Sequence, residues 1–180
     1  MRLPQAKEAI ARIDVLLERL GDPHHRAMLT AFRTHWWSEV IGDLDTAMSV
    51  MPADVIFKTT GAVPSGQPFE LHTATEQRAL YQQQLDIGLT PGAGTFTDER
   101  WAFADWGMTL EAVWIFVMYG SMISGYGSFD ANCLYLVKVP CVAIMPYRGN
   151  GILGGEIFYF GNPISVEPTD QATLDWMIEP

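Results

Sequence analysis

The sequence predicts an α+β domain in which helices come first and a mostly antiparallel sheet follows. Three observations carry that prediction. Apolar residues recur at helical spacing through the first third of the chain. Residues 95–160 are instead rich in β-branched and aromatic residues. "RGNGILGGE" contains an Asn150-Gly151 pair, the turn chemistry that closes a tight antiparallel hairpin. Segregated helices beside such a sheet define the class. Residues 1–180 are expected to form a single domain, a length that supports a real core and is short for two.

The elements follow in order. Ile10, Ile13, Leu16, Leu17 and Leu20 mark a first helix over residues 5–20, ended by Gly21. Asp22 is placed to cap a second helix with Pro23 at its first position, and Gly42 stops it after Ile41. Asp43 can cap a short third helix, "LDTAMSVM". "ADVIFKTT" reads as a strand and "TATEQRALYQQQLDIG" as a helix. Further strands are expected at 99–109, 111–119, 133–146 and 152–160, with "PTDQATLDW" as a possible short helix near the end.

Composition narrows the function. A net charge of -10 with only 11 Lys and Arg in the chain argues against nucleic acid and against an anionic membrane surface, both of which need a basic patch. The longest strongly apolar run, "AVWIFVMYG", is far below the roughly 20 residues of a spanning helix, and no secretory signal is read at the start, so a cytoplasmic protein is expected. Cys133 and Cys141 lie in what reads as extended chain, which would set them roughly 26 Å apart at about 3.3 Å per residue, too far to bridge. Hydrophobic residues at 48% and aromatics at 12% exceed what a minimal core needs, and a lined cavity or an oligomer interface would use the surplus.

The second helix carries the first chemical signal. With Met28 at zero and about 100° per residue, Glu39 falls near 20°, Phe32 near 40° and Trp36 near 80°, so the carboxylate lies within the apolar face. His35 falls near −20°, one turn before Glu39, where the two can hydrogen-bond. Such a pair can simply orient the helix at the rim of the core. Alternatively, a carboxylate facing an apolar cavity loses solvation, its pKa rises, and the imidazole can share its proton, which is general acid–base chemistry. Trp37 points away, near 180°, and needs another surface.

On the strands, alternation groups Trp101, Phe103 and Asp105 on one face and Glu156, Phe158 and Phe160 on another. Alternation does not say which face is inward. If the last strand were inverted, Tyr159 would replace Glu156. The glycines of "GNGILGG" do not open a helix after a strand and so make no dinucleotide loop. There is no G-x-S-x-G, and His24, His25, His35 and His72 form no recognised metal-ligand spacing, so neither cofactor nor metal is expected.

"HWWSEVIGDLDTAMSVMPADVIFKTTG" resembles the opening of the SnoaL-like branch of the nuclear transport factor 2-like superfamily. "ATEQRALYQQQLDIG" is similar to its third helix, and "PYRGNGILGGEIFYFG" resembles its closing hairpin. The likeness spans roughly residues 22–162. It implies a cone-shaped α+β barrel, a curved sheet wrapped around the helices and enclosing a deep apolar pocket. It also implies a range of cofactor-free activities: polyketide cyclases, dehydratases, isomerases, epoxide hydrolases and carbon–carbon lyases. Members without a catalytic role exist as well. The sequence departs from the cyclases in having no histidine between residues 99 and 160.

The expected function is therefore a cofactor-independent lyase, dehydratase or isomerase acting on a small apolar, aromatic substrate. The deformylating lyases of diaryl compounds in the superfamily are one case implied by analogy. His35, Glu39, Asp105 and Glu156 are the expected acid–base groups, with Phe32, Trp36, Trp101, Phe103 and Phe158 as substrate-binding residues. The alternative is a non-catalytic ligand-binding or assembly subunit, such as an oxygenase β subunit of the same fold. Trp37 and the outer sheet face suggest a homodimer or homotrimer.

Overall fold

A computed structural model describes residues 3–180. Local capping chemistry sets the helices. α1 (Ala6–Arg19) opens on a reciprocal cap between Gln5 and Glu8. α2 (Pro23–Ile41) opens where the Asp22 carboxylate accepts the His24 N–H at 2.7 Å. It closes on Gly42, whose φ of 77° is a conformation that favours glycine. α3 (Leu44–Ser49) begins at once, capped by Asp43 on the Thr46 N–H. α4 (Ala74–Asp86) carries a capping box between Thr73 and Glu76, and α5 (Gln171–Ile178) is capped by Asp170.

The strands are β1 (Ile56–Gly61), β2 (Phe69–Leu71), β3 (Gly94–Ala104), β4 (Gly107–Tyr119), β5 (Leu134–Gly149), β6 (Ile152–Leu153), β7 (Gly155–Phe160) and β8 (Ser165–Thr169). They order as β2-β1-β7-β5-β4-β3. β5 is long enough to carry three partners along one edge: β8 beside Leu134–Lys138, β7 beside Cys141–Ile144, and β6 beside its end. All pairings are antiparallel except β1 with β7.

The class and the helices match the expectation, and three details of the sheet do not. The sheet is not closed into a barrel: it runs from β2 at one edge to β3 at the other. The β2 edge is a strand of three residues, and at the β3 edge Arg12 of α1 donates to the Phe96 carbonyl at 2.6 Å. The strands expected at 99–109 and 111–119 are displaced, because Ala104 pairs with Gly107 and leaves Asp105 and Trp106 as a two-residue turn. The run 152–160 is two strands, broken at Gly154. The Asn150-Gly151 turn forms as expected, with φ of 54° and 77°.

The main core gathers Met28, Leu29, Phe32 and Trp36 of α2 with Ile10 and Ile13 of α1 and the inner faces of β3, β4 and β5. A second cluster places Leu174 and Met177 of α5 against Ile115, Val117 and Leu136. Residues 163–180, outside the sequence resemblance, therefore extend the sheet and seal one end of it. Trp37 does not stand free of the fold: it is half-buried and packs on the main core. Cys133 and Cys141 are both free. Among the described residues no helix is long and apolar enough to cross a membrane.

Candidate active site

The C-terminal half of α2 puts His35, Trp36 and Glu39 inside the protein, as its periodicity requires. His35 is fully buried and Glu39 is 7% exposed. The Gly42-Asp43 step folds α3 back against α2, which brings the Ala47 carbonyl to 2.7 Å from His35 Nδ1. A carbonyl only accepts, so Nδ1 carries a proton and donates it there. The other ring nitrogen, Nε2, faces two carboxylate oxygens, Glu39 Oε1 and Glu156 Oε2, each at 3.2 Å.

Glu156 arrives from the other side of the fold. It follows Gly155, where an added Cβ would sit 2.1 Å from the Ile56 carbonyl, so only glycine lets β7 lie this close to β1. Alternation then turns Glu156, Phe158 and Phe160 inward and leaves Tyr159 exposed, which settles the face that the sequence left open. α4 adds two residues one turn apart. Gln77 Nε2 donates to the Tyr81 hydroxyl at 2.6 Å and to Glu156 Oε2 at 3.2 Å, and the Tyr81 hydroxyl donates to the same Oε2 at 3.2 Å.

Burial and charge act against each other in this cluster. Burial by itself would push His35 down, but the adjacent Glu39 and Glu156 carboxylates overcome it and hold the imidazolium well above its usual range. Glu39 is raised, chiefly by burial and further by repulsion from Glu156, with His35 offsetting part of the rise. Tyr81 is pushed well above 10, first by burial and then by the two carboxylates, and so keeps its proton. The arrangement can hold a proton on the imidazolium, share another between two carboxyl groups and offer a phenolic donor beside them.

The two carboxylates and the tyrosine line a cavity of about 290 Å³ whose wall is mostly aromatic and aliphatic, including Trp36, Phe57, Trp114, Phe116 and Phe158, with Thr59, Ser65 and Gln84 as further polar residues. His35 lies behind Glu39 and Glu156, out of the lining. Of the expected site residues, His35, Glu39 and Glu156 come together, and Trp36 and Phe158 line the cavity. Asp105 does not join them. It sits exposed in the β3–β4 turn, where its carbonyl accepts His24 Nε2 at 2.9 Å. Phe32, Trp101 and Phe103 are inward but belong to the packing at the opposite end of α2: Phe32 meets Trp101 at 5.3 Å between ring centroids, and Phe103 stacks on His25 at 5.3 Å. Gln77 and Tyr81 were not foreseen, although their four-residue spacing on one helix face was a usable signal.

His35, Glu39 and Glu156 are also the group among the described residues whose donor atoms, within 4.8 Å of one another, could take a metal ion. As built, Glu156 Oε2 already accepts from His35, Gln77 and Tyr81, and a cation would have to displace those hydrogens. The geometry is that of a proton network.

No family model matches the sequence, and no curated protein is similar enough in sequence to count as a relative. Solved structures do match. A candidate SnoaL-like polyketide cyclase from Shewanella putrefaciens CN-32 superposes with a TM-score of 0.60 at 11% identity, covering 82% of this chain and 86% of that one. The chain has the nuclear transport factor 2-like fold. A nuclear transport factor 2-like protein of unknown function from Burkholderia xenovorans LB400 shares that fold at 17% identity and a TM-score of 0.52, over 86% and 96% of the two chains. So does a computationally designed 17-OHP binder, at 13% identity and a TM-score of 0.52, over 81% and 98%. Within this fold the cavity lies between α2, α4 and the inner face of the sheet.

Proposed function

We propose that this protein is a cytoplasmic, cofactor-independent enzyme, a lyase, dehydratase or isomerase, acting by general acid–base chemistry on a small apolar, aromatic substrate such as a diaryl compound. One observation carries the reading: two buried carboxylates and a tyrosine line a predominantly apolar, aromatic-walled cavity, with an imidazolium locked behind them. Isomerase and cyclase chemistry of this kind suits the fold, and the designed 17-OHP binder supports the use of its cavity for small molecules.

Glu39 is the base. Its raised pKa brings it toward the range in which a carboxylate can take a proton from a substrate hydroxyl or activated carbon and give it back. Glu156 is held by three donors and keeps its place as the counter-ion of His35. His35 tunes and orients both carboxylates from behind, and the Tyr81 hydroxyl can turn from Glu156 to a developing negative charge on the substrate. The proton taken up at Glu39 returns to the leaving or rearranging part, so the cycle closes without an external reagent.

The test uses the protein after exhaustive chelation and dialysis. Ligands retained through purification are identified by native mass spectrometry, and their candidate substrates are incubated in D₂O while proton NMR follows product formation and exchange at activated carbons. Turnover or exchange that Glu39→Gln abolishes supports the reading. Turnover that disappears on chelation and returns with one metal contradicts it.

A further inference from the structure

The polar residues of the cavity wall are already engaged within the protein, with one exception. Glu39, Tyr81 and Glu156 are bound into the cluster around His35. Thr59 Oγ1 accepts the Phe69 N–H at 3.3 Å, and Ser65 Oγ donates to the Gln67 carbonyl at 3.0 Å. Trp114 is 4% exposed and its Nε1–H meets no hydrogen-bond acceptor, but the indole stands perpendicular to Trp36 and to Phe158, with ring centroids 6.5 and 6.0 Å away, and aromatic faces can take an N–H. Gln84 is the exception. Its Oε1 is buried and meets no donor in the protein, and an aromatic face, itself electron-rich, offers an oxygen nothing. The other buried polar atoms in this condition among the described residues, on Gln77, Thr90, Tyr126 and Ser165, belong to residues outside the cavity wall.

A buried acceptor without a hydrogen forfeits what water gave it in the unfolded chain, so such a group is rare unless something else serves it. A ligand that brings an O–H recovers the loss. A hydroxyl also suits either end of the amide, because it both donates and accepts. Helix geometry says where on the ligand that hydroxyl belongs. Gln84 follows Gln77 by seven residues and Tyr81 by three, so the three share one face of α4. Gln84 stands about 4.5 Å further along the helix axis than Tyr81, which reaches Glu156. A single aromatic ring covers that offset.

We propose that the cavity takes a phenol, an aryl compound whose reacting group lies at Glu39 and Glu156 and whose ring carries a hydroxyl on the far side that donates to Gln84 Oε1. Gln84 is then the residue that selects hydroxylated over unsubstituted rings. A cavity of about 290 Å³, at the small end of the roughly 300–1,000 Å³ usual for ligand sites, suits such a compound. The inference rests on the cavity being the substrate site proposed above and names the class of compound it takes.

Three probes test it: 2-(4-hydroxyphenyl)ethanol, 2-phenylethanol and 2-(2-hydroxyphenyl)ethanol. Binding is followed by calorimetry and by ligand-observed NMR. The para-hydroxyl compound is expected to bind roughly tenfold more tightly than 2-phenylethanol, and the ortho compound to show no such gain, because its hydroxyl stays beside the alcohol arm. Gln84→Met keeps the side chain's length and removes the amide, so it should erase the para preference. Gln84→Leu repeats the comparison, and circular dichroism shows that each variant is folded. Equal binding of the para and unsubstituted compounds overturns the inference and leaves the acid–base reading standing, as does a para preference that persists in the folded variants. An equal gain from the ortho hydroxyl overturns the placement at Gln84. No saturable binding of any probe overturns both this inference and the cavity as substrate site.

Discussion

Glu39→Gln separates a catalytic role from a structural one, because the structure assigns opposite costs to the two. The substitution keeps the side chain's length and its acceptor oxygen, so His35 Nε2 retains a partner at the 3.2 Å position. What it removes is the titrating group. If Glu39 is the base, turnover should fall by roughly 10²-fold or more. Stability should move little, for two effects oppose each other. Replacing a charge-assisted hydrogen bond to the imidazolium by a neutral one costs on the order of 1 kcal/mol. Relieving a carboxylate of burial and of repulsion from Glu156, the causes that raise it, returns a similar amount. A net change within about 1 kcal/mol corresponds to a melting-temperature shift of roughly 2–4 °C for a chain of this size. Melting temperature by circular dichroism and turnover by NMR are measured on the same preparation. A folded Glu39→Gln protein with full turnover would refute the assignment and leave Glu156 and Tyr81 as the candidates.

Other consequences are more quickly stated. Thermal stability should decline as pH rises from neutrality through the alkaline range. The His35 imidazolium, facing Glu39 on its own helix, Glu156 on β7 and Tyr81 on α4, is raised in the folded state, so its contribution is complete below about 6.5 and is lost as pH passes the raised value. Glu39, also raised, acts in the same direction at lower pH. His35→Asn should flatten the profile, and an unchanged slope would count against the network. Asp105→Asn should leave both turnover and stability within about 0.5 kcal/mol of the parent, since the residue is an exposed turn residue whose carbonyl, not its carboxylate, makes the contact to His24. Light scattering should give a multiple of 20.1 kDa, because Ile56 and Tyr159 on the outer face of β1 and β7, with Ile164 beyond them, leave an apolar strip exposed. A single-chain mass across a wide concentration range would contradict a homodimer or homotrimer.

Much of the helical framework was legible because its signals are local. Asp22, Gly42, Asp43 and Thr73 act on backbone groups within a few residues, so their chemistry reads directly from neighbours in the sequence. The placement of Glu39 inside α2 was legible for a related reason: helical periodicity is fixed, and an acid at an apolar angle has nowhere else to point. Strand faces were half legible. Alternation grouped Glu156 with Phe158, yet only the pairing of β7 between β1 and β5 decides that this group is inward. Asp105 was misplaced because one residue of turn position separates a strand side chain from an exposed loop, and that choice is made by Ala104 pairing with Gly107 across the hairpin.

The least legible part of the site explains why its chemistry is more than a pair. Most of α4 is polar and exposed, and Gln77 and Tyr81 are its two fully buried residues. Nothing within the helix requires that. It follows from docking α4 against α3 and the Glu156 end of β7, which converts two unremarkable residues into donors aimed at one carboxylate oxygen. The Ala47 carbonyl is less visible still, since a backbone acceptor has no sequence signature, yet it fixes the histidine's tautomer and so forces Nε2 toward both acids. Elements distant in the chain thus supply the orientation, while residues close together on α2 supply the acid and the base. That division predicts that Gln77→Leu, which removes a donor from both Tyr81 and Glu156 without touching Glu39 or His35, should lower turnover by weakening the hold on Glu156. It should shift the pH profile of turnover as well as the melting temperature, because Glu156, no longer held in place, changes its distance to Glu39 and His35, both of which its charge raises. A variant that melts earlier but turns over with the parent's pH profile would show that Gln77 merely fills space beneath the cavity.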